Sequence, residues 1–355
     1  MKTKKFVNIF IFIFITFIAY HLLIWFFITS KIFNLPKNYI VGDLGRMSYQ
    51  VNCLVLRKTH VDLNVSHYYK QNFKNQKIDI VTLGDSFFNG GGGGRNPYLQ
   101  DYLVKYTHKK ILNIINNNPQ QSPIALIENL IDIGWFDKYK PKYLILESVQ
   151  RAMDTFNKEK KIPLTDLDTI NNSILSPGQS LFTYVPKIKI INTANYKSLY
   201  YTIAYNFSNN AKKDVYKFHL KRKMFKKGNK VILIHKDDLH KIDFFTAKKL
   251  LKINKKLNDI SIKLQKKGIS LIVLIATNKY NLYSDYIEEQ NNFPKDLFFK
   301  KFEQLPKKYI YINTKEILYP YLTKEKDIFY LDDTHWSYKA NSIISKYIEK
   351  QGILK

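Results

Sequence analysis

Close to the N-terminus lies a long apolar run, residues 6–29, which contains no acidic residue, no lysine and no arginine, and in which His21 is a polar exception. A helix of this length reaches about 36 Å, whereas the hydrocarbon core of a bilayer is about 30 Å thick. The run therefore predicts one transmembrane anchor, so that the rest of the chain folds beside a membrane. We expect His21 to pack against protein or to reach toward the bilayer surface rather than to take part in chemistry.

Lys2, Lys4 and Lys5 precede the apolar run. Because positively charged residues stay in the cytoplasm, residues 1–5 are expected to form a cytoplasmic stub, with the bulk of the chain in the periplasm or outside the cell. This makes the protein a single-pass protein of the inner or cytoplasmic membrane. A cleaved signal peptide is the alternative, but its apolar region is normally about 7–15 residues and ends in small residues. Here the run ends in bulky side chains around Trp25.

The composition indicates a folded domain after the anchor. Of the 355 residues, 45% are hydrophobic and 15% aromatic. This excludes wholesale disorder, because disordered chains are poor in aromatic side chains. The one cysteine, Cys53, excludes a disulfide framework and a cysteine-rich zinc site. The histidines other than His21 and His335 show no metal-ligand spacing, so we expect neither a metal nor a cofactor.

The formal charge is +28, from 57 basic and 29 acidic residues. Such a balance favours nucleic-acid binding as a first interpretation. However, only five of the basic residues are arginine, the usual side chain for bidentate contacts with phosphates and bases. The rest are lysines, in a sequence whose abundant Ile, Asn, Tyr and Phe share A/T-rich codons. We therefore expect no nucleic-acid partner, but a surface that attracts anionic lipid headgroups or acidic glycans.

We interpret residues 30–75 as a connector and residues 76–355 as one domain. The first half of the domain alternates short apolar runs with helical patterns. These are a strand at 78–83, a helix at 97–106, a strand at 111–115, a helix at 122–133 capped by Ser122, and a strand at 143–147. Strands that alternate with helices predict βαβ units. The fold class is therefore α/β, with a parallel sheet flanked by helices in three layers.

The same alternation returns near residue 244. Its elements are a helix to 265, a strand at 270–275, helices near 282–304, a strand at 309–312 and a final helix at 337–349. Between the two halves, residues 152–243 are rich in Asn, Ser and Lys and lack a regular pattern. We interpret them as a possible insertion or lid.

A Gly-Asp-Ser turn at 84–86 follows the first strand of the domain. Open α/β folds bind ligands at the carboxyl ends of their strands, so Ser86 is a candidate nucleophile whose own N–H could stabilise an oxyanion. By itself such a tripeptide also occurs in ordinary turns. Five glycines, 90–94, come next. They would either let a glycan or acyl donor approach the serine closely or form a flexible loop.

A second polar segment, at residues 330–337, contains Asp332, Asp333 and His335. The histidine could take a proton from a serine hydroxyl, while a carboxylate two or three residues earlier holds its ring. The alternative is that Asp333 or Ser337 only caps a helix and that His335 lies on the surface. Two such segments at strand-to-helix junctions, in the order serine and then aspartate and histidine, favour a chemical site.

These two segments resemble the SGNH/GDSL hydrolases. The Asp-Thr-His-Trp sequence at 333–336 is similar to that of the AlgX/AlgJ-like branch, whose members acetylate exopolysaccharides such as alginate outside the inner membrane. Two further segments support the resemblance: 147–151 is similar to a Glu…Arg segment of that branch, and 278–280 to its Lys-Tyr turn. The resemblance covers about 78–350, with a gap over the insertion, and implies an SGNH-type three-layer fold.

The resemblance also implies a role for each matching residue. Ser86 would be the nucleophile and carry the acyl group, and His335 would be general base and then general acid. The orienting carboxylate would be Asp333 by the spacing of the AlgX/AlgJ-like branch, or Asp332 by that of the wider family. The sequence does not choose between them.

The sequence departs from the wider family in its oxyanion residues. The second strand leads to Asn116 rather than to a glycine, and Glu147 follows the third strand instead of a Gly-x-Asn-Asp block. We expect the Ser86 amide to act together with a group near Asn116 or Arg151. Arg151 would hold an acidic sugar or the oxyanion, or else pair with Glu147 across one turn.

The remaining candidates for oxyanion or substrate binding are Asp85, Lys279 and Tyr280. Asp85 tolerates the unusual backbone of the turn before Ser86. Lys279 and Tyr280 are expected to form a structural turn near the site.

The function that follows is a membrane-anchored O-acyltransferase. It would transfer an acetyl group to a cell-envelope or exported polysaccharide through an acyl-serine intermediate. Because acetyl-CoA is not available outside the cytoplasm, the resemblance implies a membrane-bound O-acyltransferase as the acyl donor. The alternatives are a carbohydrate esterase or deacetylase with the same triad, and a non-catalytic glycan-binding assembly protein.

Overall fold

The computed structural model describes residues 2–116, 121–158 and 187–355, which form a mixed α/β fold. The strands of these ranges are, in chain order, β1 (Tyr39–Ile40), β2 (Arg57–Lys58), β3 (Ile80–Leu83), β4 (Ile111–Ile114), β5 (Tyr143–Val149), β6 (Val215–His219), β7 (Val231–His235), β8 (Ser270–Ala276) and β9 (Ile310–Asn313). The helices are Lys2–Ile24, Ser30–Phe33, Asp43–Ser48, Leu99–Thr107, Pro123–Asp132, Trp135–Tyr139, Thr193–Ala204, Lys236–His240, Ala247–Gln265, Lys279–Tyr283, Phe298–Glu303, Thr314–Leu318 and Tyr338–Lys350.

Five strands form one parallel sheet in the order β4–β3–β5–β8–β9. The predicted α/β class with a parallel sheet is therefore confirmed. Strand β3 has β4 on one side and β5 on the other, so the direction of winding reverses at β3. Such a reversal opens a crevice at the carboxyl ends of the strands, where open α/β folds bind their ligands.

The sheet is covered by helices on both faces, which explains its nearly continuous apolar strands. Alternate residues of β3 face opposite sides, because side chains alternate along a strand. Ile80 joins one core cluster with helices Leu99–Thr107 and Tyr338–Lys350. Val81 joins the other with helices Pro123–Asp132 and Ala247–Gln265.

Helix boundaries follow the capping residues in the sequence. Ser122 accepts a hydrogen bond from the Ile124 N–H at 3.1 Å, so the predicted cap is confirmed. The helix predicted from residue 244 begins at Ala247 instead, because the Thr246 side chain caps it. The helices expected near 282–304 are shorter: one ends at Tyr283, and the next covers Phe298–Glu303.

The N-terminal helix extends beyond the predicted span 6–29. A helical segment of 31 residues, Thr3–Phe33, includes a π-helical turn at Trp25–Thr29, and an 18-residue stretch of it has a mean hydropathy of 2.5. It is long and apolar enough to span a bilayer, and large side chains such as Phe10 and Phe12 are exposed along it. The side of the membrane on which the domain lies remains a prediction from the lysines.

The segment expected to be a connector, residues 30–75, is part of the folded domain. Strands β1 and β2 pair as an antiparallel ribbon, and Leu44 and Cys53 are buried in the core. Part of the expected insertion, residues 159–186, lies outside the described residues. Its described remainder includes the antiparallel pair β6–β7, whose apolar side chains join the same core.

Candidate active site

Ser86 lies directly beyond the carboxyl end of β3, at the crevice where the sheet reverses its winding. The turn before it is fastened to β5. The Asp85 N–H donates to Glu147 Oε2 at 2.9 Å, and Asp85 Oδ2 accepts from the Val149 N–H at 2.7 Å. A side chain at Gly84 would meet Glu147 Oε2 at 2.4 Å, so glycine is required for this approach.

Asp85 and Glu147 therefore position the turn, and the expectation that Asp85 binds substrate or oxyanion is not supported. Asp85 Oδ1 also accepts from the Phe87 N–H at 2.9 Å, so both carboxylate oxygens are bonded to main chain. Burial, followed by the nearby Asp85 charge, raises the pKa of Glu147 well above its usual range.

His335 meets Ser86 across the crevice. Its Nε2 lies 2.7 Å from Ser86 Oγ, and its Nδ1 lies 2.6 Å from Asp333 Oδ1. The same carboxylate oxygen accepts the His335 main-chain N–H at 3.0 Å. An imidazole placed between a hydroxyl and a carboxylate can take the hydroxyl proton while the carboxylate fixes its tautomer and orientation. His335 is buried, so the surface location considered from the sequence is wrong.

The structure distinguishes the two neighbouring carboxylates that the sequence left open. Asp333 contacts the imidazole, whereas Asp332 turns toward residues 42–57. Asp332 Oδ2 accepts the N–H groups of Gly42 at 2.7 Å and Val55 at 2.8 Å. Asp332 thus joins residues 330–336 to residues 42–57 and does not orient His335.

Arg57 joins both carboxylates and was missed in the sequence, where it fell within the expected connector. Its Nη2 lies 2.6 Å from Asp333 Oδ2, and its Nη1 lies 3.0 Å from Asp332 Oδ1. Its Nε donates to the carbonyl of Gly92 at 2.8 Å, and its guanidinium lies over the Tyr330 ring. The scarcity of arginine was the only sequence signal that could have singled it out.

Electrostatics keep the Asp333 carboxylate ionised and make the His335 imidazole more basic. Burial alone would lower the pKa of His335, but the Asp333 charge and hydrogen bond outweigh it and raise the pKa above its usual value. Burial alone would raise the pKa of Asp333, yet His335 and Arg57 hold it well below its usual range. Asp333 is therefore ionised at neutral pH, and the imidazole is a stronger base than a free histidine.

Lys279 and Tyr280 support the structure and do not face a substrate, which corrects their assignment as possible binding residues. Lys279 is fully buried, and its Nζ donates to the carbonyls of Tyr330, Leu331 and Asp333 at 2.7, 2.8 and 3.0 Å. Burial lowers the pKa of Lys279 to about 8. The Tyr280 hydroxyl donates to the carbonyl of Pro294 at 3.1 Å.

Asp43 is a second residue that the sequence reasoning missed. Its carboxylate accepts the Thr334 hydroxyl at 2.6 Å and the Thr334 N–H at 2.8 Å. Ligand atoms of Asp43, Asp333 and His335 lie within 4.8 Å of one another, as a metal site would require. These atoms already bond protein groups, and a cation there would lie next to the Arg57 guanidinium. The cluster is therefore best described as part of the hydrogen-bond network that holds residues 330–336.

The glycine run packs against the site, while its interpretation as a flexible loop stays a prediction. A Cβ at Gly91 would lie 2.4 Å from His335 Nε2, and one at Gly92 would lie 3.1 Å from His335 Cβ. The Gly91 N–H donates to the Ser86 carbonyl at 2.7 Å. The absence of side chains thus permits close approach, but to the imidazole of this chain.

Arg151 lies near the site without the predicted ion pair to Glu147. Strand β5 continues to Val149, so Glu147 is not one helical turn from Arg151. Arg151 Nη1 instead pairs with Asp238 Oδ1 at 2.9 Å, and its guanidinium lies 5.9 Å from the Phe87 ring centre.

Asn116 follows β4, the neighbour of β3 in the sheet. Its side chain donates to the carbonyl of Gln121 at 2.8 Å. The structure therefore does not support its expected role beside the Ser86 amide.

The geometry defines a class of site: a serine hydroxyl, an imidazole and a buried carboxylate in one hydrogen-bonded chain. This arrangement suits nucleophilic acyl chemistry and is recognised by geometry rather than by sequence position. No protein-family model matches this sequence, and a search of curated proteins returns no match.

Proposed function

We propose that this chain is a membrane-anchored SGNH-type O-acyltransferase that transfers an acyl group, most simply acetyl, to a cell-envelope or exported polysaccharide. The observation that carries the proposal is the chain of contacts from Ser86 Oγ through His335 to Asp333, at 2.7 and 2.6 Å, in the crevice of a parallel sheet. The resemblance of residues 84–86 and 333–336 to the AlgX/AlgJ-like branch supports the choice of acceptor.

In the first half-reaction, His335 Nε2 takes the Ser86 proton as Oγ attacks the carbonyl carbon of the acyl donor. The tetrahedral intermediate collapses, and the leaving group departs with the proton from His335. In the second half-reaction, His335 takes a proton from a sugar hydroxyl, which attacks the acyl-serine. Ser86 then leaves as the alcohol and recovers its proton from His335.

The developing oxyanion requires donors that point into the crevice. We assign this role to the Ser86 main-chain N–H and to the Arg151 guanidinium, which Asp238 holds at 2.9 Å. Arg151 also carries the positive charge that would attract an acidic sugar. Asp333 keeps the imidazole oriented in both half-reactions, and Arg57 keeps Asp333 in place.

The apolar helix and the lysines before it favour a protein of the inner or cytoplasmic membrane, with its N-terminus in the cytoplasm and its site in the periplasm or outside the cell. A membrane-bound O-acyltransferase would supply the acyl group there. The net charge of +28 favours an acidic polysaccharide as the acceptor.

The test is hydrolysis of a chromogenic acetyl ester by the purified full-length chain. Ser86→Ala and His335→Ala should each lower the rate by about 10³-fold or more, since removal of either group abolishes the acyl-serine route. Ser342→Ala is the matched control, because Ser342 bonds Tyr106 on a helix away from the crevice and should retain full activity. Undiminished hydrolysis by Ser86→Ala would refute the proposal.

Candidate oligosaccharides then distinguish transfer from hydrolysis. A transferase should move the acetyl group to a sugar hydroxyl, and mass spectrometry should detect the product. An esterase or deacetylase should release acetate at the same rate with or without the sugar. Full complementation of a deletion strain by Ser86→Ala would instead indicate a non-catalytic glycan-binding role.

A further inference from the structure

His21 is a polar residue within the apolar N-terminal helix, yet it is buried. The Asn195 side-chain amide pairs with His21 Nδ1 at 2.7 Å, and the Tyr196 hydroxyl pairs with His21 Nε2 at 3.1 Å. Polar side chains at bilayer depth are found with partners, because an unpaired one is costly there. Helix Thr193–Ala204 supplies those partners.

Further contacts hold the same segment beside the anchor. The Tyr20 and Tyr196 rings stack with centres 5.1 Å apart, and the Thr29 hydroxyl donates to Ser198 Oγ at 3.3 Å. If the hydrocarbon core begins near Phe6, it ends about 20 residues later, so His21 lies about 7–8 Å inside it. The contacts with His21 thus bring the start of helix Thr193–Ala204 to the depth of lipid chains.

The opposite face of this segment is apolar and exposed. Tyr200 and Ile203 lie on this face of the helix and Phe207 follows just after its end; Tyr200 and Phe207 are 63% and 84% exposed. The polar side chains of Asn195 and Ser198 face the anchor instead. This distribution is the reverse of that of a helix on a soluble surface, and aromatic residues of this kind are typical of membrane interfaces.

We propose that residues 190–207, the bracing segment, insert into the bilayer leaflet next to the folded domain, with Tyr200, Ile203 and Phe207 facing lipid. The occupant of this apolar face is lipid because the face is continuous with the lipid-exposed surface of the anchor. This proposal goes beyond the proposed function and does not depend on it.

The bracing segment also connects the membrane to the catalytic loop. The Tyr201 ring stacks on Tyr49 with centres 5.7 Å apart, and Gln50 Nε2 donates to the Tyr201 carbonyl at 3.2 Å. These contacts join the segment to residues 42–57, which hold Asp332 and Asp333. Insertion of the bracing segment therefore fixes the distance of the site from the bilayer and its tilt, which a single anchor helix alone would not do.

The test uses nitroxide labels on the purified full-length chain in vesicles of phosphatidylcholine and phosphatidylglycerol, without another protein. The native Cys53 is buried, and burial raises its thiol pKa to about 11, so it does not compete for the label. Labels are placed singly by Tyr200→Cys, Ile203→Cys and Phe207→Cys. Leu251→Cys is the matched control, because Leu251 is an equally exposed apolar residue on helix Ala247–Gln265.

Collision rates with oxygen, which enriches in lipid, and with a nickel chelate, which stays in water, give each label's surroundings. Labels on the bracing segment should favour oxygen at least several-fold over the Leu251 label. A nickel-to-oxygen ratio equal to that of the control would place the segment in water and overturn the proposal. Low collision rates with both reagents would show cover by protein and would also overturn it.

His21→Ala provides a second variant that leaves the exposed face unchanged. Loss of the His21 contacts should raise the nickel collision rate of the Phe207 label toward that of the control. An unchanged rate would contradict the role of His21 in holding the segment at bilayer depth. Neither measurement involves the serine, so both remain decisive if the proposed acyl transfer fails.

Discussion

The two halves of the candidate site are held in different ways. Ser86 follows a buried strand, and its turn is joined to β5 by two hydrogen bonds, from the Asp85 N–H to the Glu147 side chain and from the Val149 N–H to the Asp85 side chain. The loop of residues 330–336 has no regular secondary structure beyond one isolated bridge between Phe329 and Trp336. Charged side chains from distant parts of the chain hold it instead.

Three such side chains contact the loop: Arg57 at the carboxylates, Asp43 at Thr334 and Lys279 at three carbonyls. A sheet edge positions a residue through many weak bonds that survive single substitutions. A loop held by few buried charges loses its geometry when one of them changes, because the partner is left unpaired. The position of His335 should therefore be more sensitive to remote substitutions than the position of Ser86.

The largest effect in the loop is expected from Asp333→Asn, which should lower kcat for the acetyl ester by about 10³-fold or more. Asp333 raises the pKa of His335, and the base must be neutral to act. Activity of the wild type should therefore rise with pH through a His335 pKa above about 6.5. In Asp333→Asn this acid limb should move to lower pH.

Asp332→Asn is the matched control for Asp333→Asn, since the two carboxylates are adjacent and both contact Arg57. It should lower the thermal midpoint but leave the acid limb of the pH profile in place. Equal losses of kcat and equal shifts of the acid limb in both variants would remove the distinction between an orienting and an anchoring carboxylate.

Gly91→Ala should lower kcat by about 10²-fold, because the new methyl group would push the imidazole away from Ser86. Gly92→Ala is the comparison, since its methyl group would meet His335 Cβ at 3.1 Å rather than Nε2 at 2.4 Å. Its activity should stay within about tenfold of the wild type. Kinetics of both variants would contradict the close-approach role if Gly91→Ala were the more active.

Arg57→Lys should lower kcat by about tenfold with little change in KM, because an ammonium cannot bond both carboxylates as the planar guanidinium does. Arg46→Lys is the control, as Arg46 donates to the Val41 carbonyl at 3.2 Å without touching the loop. Indistinguishable kinetics of the two variants would show that Asp333 does not depend on Arg57 for its position.

Lys279→Met is expected to act on stability, lowering the free energy of unfolding at pH 7 by about 1–3 kcal/mol through three unpaired carbonyls. The Lys279 pKa is about 8 in the folded chain and about 10.4 in the unfolded chain. Between these values the unfolded state binds more protons, so the Lys279 contribution grows with pH. Urea unfolding at several pH values should show that the difference in unfolding free energy between the wild type and Lys279→Met increases above pH 8. A difference that does not change with pH would contradict this.

The parallel sheet and the position of Ser86 could be predicted because both depend on local patterns. Buried strands are short apolar runs, and a polar turn after such a run marks the carboxyl edge. Of the two alternatives for Arg151, the pair with Glu147 is wrong, because β5 continues past Glu147 to Val149 and helical spacing does not apply there. The connector was misjudged because its packing against the site leaves no periodic pattern in its own sequence.

The sequence by itself determined a membrane-length apolar helix, a domain of alternating strands and helices, and the serine and histidine that face each other. Only the tertiary structure decided which aspartate meets the imidazole, why Gly91 must lack a side chain and which cation holds the carboxylates. The physical reason is distance along the chain: the Arg57 contact with Asp332 joins residues 275 positions apart. No local pattern encodes a contact that exists only after the whole chain has packed.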